Sequence, residues 1–367
     1  MTQGGIAISR RAVLTGALAL AACDRSARPA QAASEPVPPL RSVAGFPIGT
    51  CVQDAQLDDP AWVRLALQQV SQLTPEWEMK MEYIVQPDGS FRFDRPDRIA
   101  AFAREHGLRL YGTTLVWYAQ KPDAFANLDE GRASFGGAYD NYLTAVAGRY
   151  RGQAVGWDVV NEAVAEDGEG WRDSLWAQRL GAFEHMQRAF EVTRAADPDA
   201  VLFLNDYNLE SLPKKLDTFQ RLVERLLKSG APLTGLGCQT HLGADLAAGS
   251  VTRAVKAIAA FGLPIHISEL DCSIAQAKGL LGSRADLERA QARLYGETAE
   301  AFCALPERQR FAFTLWGLRD KDSWLKQGNP TDTPLAFTDL GEPKPAAAAL
   351  ADVFERQRLY GTAKPRG

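Results

Sequence analysis

The sequence predicts an α/β protein that folds as a closed (β/α)8 barrel, also called a TIM barrel. Short apolar runs alternate with longer amphipathic runs from Phe46 onward, and strands that are apolar throughout are typical of a parallel sheet buried on both faces. About eight such units in roughly 300 residues favour the closed barrel over an open doubly wound sheet. No GxGxxG pattern follows the first apolar run, which counts against a dinucleotide-binding fold.

Each predicted strand is a short apolar run, and each predicted helix has apolar residues on one face. In chain order, the strands are Pro47–Cys51, Leu73–Glu76, Leu108–Thr114, Val155–Asn161, Val201–Asn205, Gly235–Thr240, Pro264–Glu269 and Phe311–Trp316. The helices are Ala61–Gln72, Arg98–His106, Tyr139–Tyr150, Ala177–Ala196, Lys214–Ser229, Thr252–Phe261, Arg284–Leu305 and Ala346–Gln357. Several helices begin after Asp, Pro or Ser and end near Gly, as helix ends should.

The N-terminal residues predict export. Arg10 and Arg11 precede the apolar run Leu14–Ala22, which is a twin-arginine pattern whose apolar part is too short to span a bilayer as a mature helix. Two processing sites stay open. One is a lipobox that would leave Cys23 lipidated at the new N-terminus, and the other is a small-residue cleavage site at Ala30-Gln31-Ala32.

We therefore predict a signal peptide over residues 1–33, a Pro-rich linker over 34–45 and a single barrel domain over 46–360. The protein is expected to be periplasmic, extracellular or attached to a membrane through Cys23. Export also matters for the other cysteines, because an exported protein can form disulfide bonds between them. Disulfides and buried free thiols are both open for Cys51, Cys238, Cys272 and Cys303.

Composition and motifs narrow the class of partner. The net charge is −4 and no basic patch recurs along the chain, so nucleic acid is not an expected partner. Without HExxH, P-loop or GxSxG patterns, metalloprotease, P-loop NTPase and serine-hydrolase functions are disfavoured. Cys238 lies close to His241, but no second pair of ligands at zinc spacing accompanies them. We predict no metal, no cofactor and a monomer.

Polar and aromatic residues end five of the predicted strands. They are Asn161-Glu162, Asn205-Asp206, Gln239-Thr240-His241, Glu269 and Trp316. In a barrel these strand ends converge on one face, where active sites lie. Two carboxylates there predict glycoside hydrolysis, because one carboxyl must stay protonated to donate to the leaving oxygen while the other must be ionised to attack.

Several motifs follow one another along the chain. They are Trp157–Ala163, Asn205–Asn208, Gln239–Leu242, Ile267–Asp271, Trp316–Asp320 with Ser323-Trp324, and Lys344–Ala346. This ordered set resembles glycoside hydrolase family 10, the xylanase family, with Trp157–Ala163 similar to its acid/base motif and Ile267–Asp271 similar to its nucleophile motif. The resemblance covers about Phe46 to Phe354. It implies a (β/α)8 barrel, retention of configuration, no metal requirement, and internal cleavage of β-1,4-xylan.

The resemblance also implies roles for individual residues. Glu162 is the acid/base and Glu269 the nucleophile, with carboxyl groups about 5–5.5 Å apart. Asn161 binds the sugar 2-hydroxyl, His241 contacts the nucleophile or the sugar beside it, and Asp271 orients His241. The other expected substrate-binding or supporting residues are Glu76, Lys80 and Gln120 on the non-reducing side, Trp117, Trp316 and Trp324 as aromatic walls, and Gln239 and Asn205 in support.

Three positions depart from the family pattern. Trp77 stands where the family has an asparagine, and Thr113 and Tyr118 stand where it has histidines. Because Trp77 and Thr113 fall on the non-reducing side, a decorated xylan, a shorter oligosaccharide or a different β-glycan stays open as the substrate. The alternative outside enzymes is a carbohydrate-binding protein that has lost catalysis, and the retained Glu162 and Glu269 argue against it. A structural lipoprotein has only the lipobox to support it.

Overall fold

The computed structural model describes residues 36–128, 132–280 and 282–361. The predicted signal peptide, the lipobox at Cys23 and the start of the predicted linker lie outside the described residues. Within the described residues, no helix combines the length and the apolar character needed to cross a membrane.

Eight parallel strands of the described chain form a closed barrel, as the sequence predicts. The barrel strands are β1 (Ile48–Val52), β2 (Gln72–Pro75), β3 (Arg109–Gly112), β5 (Ala154–Asn161), β6 (Val201–Asp206), β7 (Gly235–Cys238), β9 (Ile265–Ser273) and β10 (Arg310–Leu315). Each pairs in parallel with its neighbours, and β10 closes the barrel by pairing with both β9 and β1. Two short strands, β4 (Val116–Trp117) and β8 (His241–Gly243), pair with the C-terminal parts of β5 and β9.

Helices precede, separate and follow these strands along the described chain. They are α1 (Leu40–Val43), α2 (Pro60–Gln69), α3 (Met81–Ile84), α4 (Asp94–Glu105), α5 (Asp123–Ala126), α6 (Arg132–Arg149), α7 (Leu175–Leu180), α8 (Glu184–Ala196), α9 (Pro213–Lys228), α10 (Ser250–Ala259), α11 (Arg284–Cys303) and α12 (Pro345–Tyr360). Proline occupies the first turn of α2, α9 and α12, where its missing N–H costs nothing. Ser283 and Asp286 form a capping box at the start of α11.

The predicted helix Ala177–Ala196 is two helices in the structure. The break between α7 and α8 falls at Gly181, whose φ of +105° is rarely adopted by residues with a side chain. A carbon added at the Cβ position of Gly181 would also lie 2.3 Å from a carboxylate oxygen of Glu184. Backbone geometry at one glycine therefore overrides a continuous amphipathic pattern.

The predicted linker over 34–45 is wrong in its second half. The compact unit of the chain begins at Val37, and Leu40 and Val43 on α1 are buried in the core. The N–H of Leu40 also donates to the side-chain oxygen of Gln69 on α2 at 2.9 Å. Two apolar residues spaced by three bury one face of a single helical turn, which is too short to show as a periodic pattern.

The four cysteines of the described chain are free and buried. The free-thiol alternative therefore holds for Cys51, Cys238, Cys272 and Cys303, and the barrel forms without a disulfide among them.

Two of the barrel strands are buried along their whole length. Every residue of β1 and β9 is buried, as expected for a sheet covered on both faces.

Candidate active site

Glu162 directly follows β5 and has a φ of +57°, which turns the chain sharply at the C-terminal end of the strand. The residue is only 8% exposed. Its carboxylate accepts hydrogen bonds from Trp117 Nε1 at 2.8 Å, Gln239 Nε2 at 3.1 Å and Asn161 Nδ2 at 3.2 Å. Burial and the nearby Asp206 carboxylate raise the pKa of Glu162 against the opposing effect of the donors, so the protonated form persists to higher pH.

Glu269 lies within β9, at the level where the pairing of β9 with β10 ends. It is 7% exposed. One carboxylate oxygen accepts a hydrogen bond from Asn205 Nδ2 at 2.9 Å, and the other lies 3.4 Å from His241 Nε2. Each of the two Glu269 carboxylate oxygens therefore has a nitrogen partner that belongs to another barrel strand or to the short strand β8.

Two asparagines connect the two carboxylates. Asn205 Nδ2, which bonds Glu269, also donates to Asn161 Oδ1 at 3.0 Å, and Asn161 Nδ2 donates to Glu162. Ser268 Oγ donates to Asn205 Oδ1 at 2.8 Å. This network needs a glycine beside it, because a Cβ at Gly237 would lie 2.2 Å from Asn205 Oδ1. The amides fix both carboxyl groups relative to the barrel.

His241 links the nucleophile candidate to a second carboxylate. Its Nδ1 lies 3.0 Å from Asp271 Oδ1, and Asp271 also accepts a hydrogen bond from Trp324 Nε1 at 2.8 Å. Burial lowers the pKa of His241, but the charges and hydrogen bonds of Asp271 and Glu269 outweigh burial, and its pKa lies well above the ordinary value. The histidine therefore carries a positive charge beside Glu269 at neutral pH.

Lys80 reaches into the same end of the barrel among three indoles. Its Nζ lies 4.2 Å from the ring centroid of Trp77, 4.8 Å from that of Trp117 and 6.0 Å from that of Trp316. Burial lowers the pKa of Lys80, and the Glu269 and Glu76 carboxylates partly offset that effect. Cation–π contacts of this kind hold an ammonium group that has left bulk water.

The remaining predicted residues surround this centre. Glu76 accepts a hydrogen bond from Gln53 Nε2 at 3.0 Å, and the Gln120 side-chain oxygen accepts one from the backbone N–H of Glu82 at 2.8 Å. Trp316 meets His241 edge-on, and Trp324 is 39% exposed at the mouth of the site. The structure thus brings the predicted catalytic, substrate-binding and supporting residues to one end of the barrel, while their individual roles stay predictions.

The three departures from the family pattern occupy different places. Trp77 is half-buried and stacks on the exposed Tyr83 at a centroid distance of 6.0 Å, so it lines the cleft beside Lys80. Thr113 is buried and hydrogen-bonded to Asp158. Tyr118 lies beneath the Arg172 guanidinium. Relative to the family pattern, this end of the barrel therefore gains an indole at position 77 and lacks the imidazoles expected at positions 113 and 118.

Sequence reasoning gave no role to a fully buried ion pair beneath Glu162. Lys215 Nζ on α9 lies 3.0 Å from Asp206 Oδ1, and Asp206 Oδ2 accepts a hydrogen bond from the Val164 N–H at 3.1 Å. Asp206 belongs to the motif Asn205–Asn208, but Lys215 lies in the first turn of an amphipathic helix, where a lysine ordinarily faces solvent.

Within the described residues, no cluster of three or more His, Cys, Asp or Glu side chains has the arrangement of a metal site.

Comparison with known families agrees with this geometry. The model of glycosyl hydrolase family 10 matches residues 40–353 of the chain. The chain belongs to glycosyl hydrolase family 10. The resemblance seen in the sequence is thereby confirmed, and the match begins at the residue where α1 begins.

Individual relatives in family 10 share about a third of their residues with the chain. It is 33% identical to Exoglucanase XynX of Acetivibrio thermocellus over 86% of this chain and 29% of that protein. It is 33% identical to Endo-1,4-beta-xylanase A of Cellvibrio japonicus over 86% and 56% of the two chains. It is also 33% identical to the endo-1,4-beta-xylanase of Geobacillus stearothermophilus, over 84% of this chain and 97% of that protein. The chain thus spans under two thirds of the length of the first two proteins.

Solved structures of family 10 share the barrel. Xylanase 10C of Cellvibrio japonicus in complex with xylopentaose superposes with a TM-score of 0.81 at 28% identity, covering 87% of this chain and 69% of that one. Xylanase 10B of Thermotoga maritima gives a TM-score of 0.79 at 28% identity, with 87% and 99% coverage.

Proposed function

We propose that this family 10 protein is an endo-acting β-1,4-xylanase that hydrolyses xylan with retention of configuration. The observation that carries the proposal is the pair of buried carboxylates in contrasting surroundings. The pKa of Glu162 is raised by burial and by Asp206, whereas Glu269 lies beside the charged His241. These surroundings suit Glu162 to donate a proton and Glu269 to attack the anomeric carbon, and a retaining mechanism requires one carboxyl group in each of these roles.

The reaction follows from these positions in two steps. A Glu269 oxygen attacks the anomeric carbon while Glu162 protonates the leaving glycosidic oxygen, which gives a covalent glycosyl-enzyme. Glu162, now ionised, then removes a proton from water as the water attacks the same carbon and releases Glu269. Retention requires carboxyl groups about 5–5.5 Å apart, and a separation in the inverting range of roughly 6.5–9.5 Å would contradict it.

A reducing-end assay on soluble xylan tests the proposal directly. We expect new reducing ends, a mixture of short oligosaccharides, and a β-anomer as the first product detected by proton NMR. An α-anomer as first product would contradict retention. Binding of xylooligosaccharides without any turnover would favour the catalytically inactive carbohydrate-binding protein instead.

A second candidate substrate is a different or decorated β-glycan. It is favoured by Trp77, which lines the non-reducing side of the cleft, and by a relative that carries the name exoglucanase. The same assay on a panel of defined xylo-, gluco- and branched oligosaccharides distinguishes the two candidates, because the preferred glycan is the one with the highest kcat/KM.

Replacing Trp77 with asparagine should shift the substrate preference. The indole is bulkier than an amide and cannot accept a hydrogen bond, whereas asparagine both donates to and accepts from sugar hydroxyls. We expect Trp77→Asn to raise kcat/KM on unbranched xylotetraose relative to the glycan that the native protein prefers. Trp77→Phe, which keeps an aromatic ring, is the matched control. An unchanged ratio in Trp77→Asn would show that position 77 does not select the substrate.

We also propose that the protein is exported and anchored through a lipidated Cys23, on the strength of the twin-arginine pattern and the lipobox. Cys23→Ala should move the protein from the membrane fraction to the soluble fraction of cells, as measured by immunoblotting. An unchanged distribution would exclude the lipid anchor and leave export through cleavage at Ala30-Gln31-Ala32. The monomeric state stays a prediction.

A further inference from the structure

The loop that follows Glu162 folds back on itself. Val164 and Trp171 form an antiparallel bridge, and the N–H of Arg172 donates to the Ala163 carbonyl at 2.7 Å. We call residues 163–172 the acid/base loop. Because the loop closes in this way, Arg172 returns to the side of Glu162 although it lies ten residues further along the chain.

The Arg172 guanidinium is fixed by contacts on several sides. Its Nε donates to the main-chain carbonyl of Glu162 at 3.1 Å. Its Nη2 donates to the Tyr207 hydroxyl at 2.9 Å and to a Glu166 carboxylate oxygen at 3.2 Å. One face of the guanidinium lies 4.0 Å from the ring centroid of Tyr118. The Arg172 side chain is 13% exposed, so these contacts replace most of its water.

Glu162 needs support of this kind because its backbone is in the left-handed region. A φ near +57° costs energy for a residue with a side chain, so neighbouring groups must hold Glu162 in that conformation. The Glu162 N–H donates to the Asn205 carbonyl at 2.8 Å, and Arg172 binds the carbonyl of the same residue. Both polar groups of the Glu162 backbone are therefore bonded, and the direction of its side chain follows from them.

Tyr118 joins this arrangement to the acid/base itself. It follows Trp117, whose Nε1 donates to the Glu162 carboxylate, and its own ring lies beneath Arg172. The carboxyl group and the carbonyl of Glu162 are thus held by groups that are adjacent in sequence or in direct contact. Tyr118 is also one of the positions where the chain departs from the family pattern, so this stacking is a feature of the present sequence.

We propose that Arg172, stacked on Tyr118, is the positioning residue of the acid/base, and that it sets how well Glu162 delivers its proton to the leaving oxygen. The inference rests on the proposed function. Arg172 acts through the backbone of Glu162: its hydrogen bonds go to the Glu162 carbonyl, to Tyr207 and to Glu166, and none of these goes to Glu269. Its removal should therefore weaken proton transfer and leave nucleophilic attack by Glu269 intact.

The test is a comparison of two substrates in Arg172→Met. Xylopentaose needs a protonated leaving group, whereas 2,4-dinitrophenyl β-xylobioside does not. We expect kcat/KM to fall about 10- to 100-fold on xylopentaose, part of the roughly 10²–10⁴-fold that general acid catalysis supplies. On the activated substrate we expect a change within about threefold, because its leaving group departs without general acid assistance. Arg172→Lys should be intermediate on xylopentaose, because an ammonium group cannot reproduce the planar fork.

Arg225→Met is the matched control. The Arg225 guanidinium lies 4.6 Å from the Trp171 ring of the same loop and 4.1 Å from the Phe183 ring, and its loss should leave the ratio between the substrates unchanged. If Arg172→Met does not fold, Tyr207→Phe decides instead, since it removes one partner of Arg172 and should lower activity on xylopentaose alone.

Three outcomes overturn the inference. Equal losses on both substrates would show that Arg172 only stabilises the fold, and no loss on xylopentaose would show that Glu162 does not depend on it. An Arg225→Met variant with the same ratio as Arg172→Met would assign the effect to the loop in general. Failure of the native protein on every substrate would instead refute the proposed function, so the two failures are distinguishable.

Discussion

Replacing Glu269 with glutamine is expected to abolish hydrolysis on every substrate. Glutamine keeps the size of the side chain and an oxygen to accept from Asn205 Nδ2, but a neutral amide cannot attack the anomeric carbon. A loss of about 10⁴-fold in kcat corresponds to roughly 5.4 kcal/mol of transition-state stabilisation, since each tenfold is about 1.36 kcal/mol. The measurement is kcat on xylan and on an activated aryl xylobioside, and the loss should be similar for both.

A thermal melt is the control for Glu269→Gln. The variant gives up the contact between Glu269 and His241, so a small shift in Tm is compatible with the assigned role, whereas loss of the folding transition is not. A variant that keeps most of its activity on either substrate would refute Glu269 as the nucleophile, and with it the two-step mechanism.

Replacing Glu162 with alanine is expected to give losses that depend on the substrate. On xylan, both protonation of the leaving oxygen and deprotonation of water are lost, so activity should fall by about 10²–10⁴-fold or more. On 2,4-dinitrophenyl β-xylobioside the first step needs no acid, and the glycosyl-enzyme should accumulate. Mass spectrometry of the intact protein after mixing should then show one added xylobiosyl group.

Azide distinguishes the two catalytic residues, because it is a nucleophile that needs no base. In Glu162→Ala, azide should enter the space left by the carboxyl group, restore turnover and give a β-glycosyl azide. In Glu269→Gln, the same azide should restore nothing by this route, because no glycosyl-enzyme forms. Rescue of neither variant, or of both with the same product configuration, would show that Glu162 and Glu269 do not have these roles.

The sequence alone predicts the barrel and the residues at its strand ends, because both leave local patterns. Apolar runs between amphipathic helices indicate the sheet, and Glu162 and Glu269 each follow or belong to such a run. The one-turn helix α1 and the break at Gly181 escape prediction, since each depends on packing or backbone geometry at one or two residues. An element is thus predictable from sequence when many of its residues share one pattern of apolar and polar side chains.

The surroundings of the catalytic pair could not be predicted in the same way. Lys215 contacts Asp206 only because the first turn of α9 lies beside the end of β6, and Arg172 contacts Glu162 only because the acid/base loop closes. In sequence, a lysine on an amphipathic helix and an arginine in a loop are ordinary surface residues. Their burial, and its effect on the acid/base, comes from tertiary contacts that no local spacing records.

Glu162, Asn208 and Thr240 have φ values of +57°, +58° and +60°, and all follow barrel strands at the active-site end. Residues forced into such conformations cost on the order of 1–3 kcal/mol each, with β-branched Thr240 among the least suited. The rest of the barrel must supply that energy. Glycine at position 240 would remove that backbone cost, but it would empty the buried space that the Thr240 side chain fills and loosen the segment that carries Gln239 and His241. Thermal stability and catalytic geometry therefore place opposite demands on the backbone at these three residues.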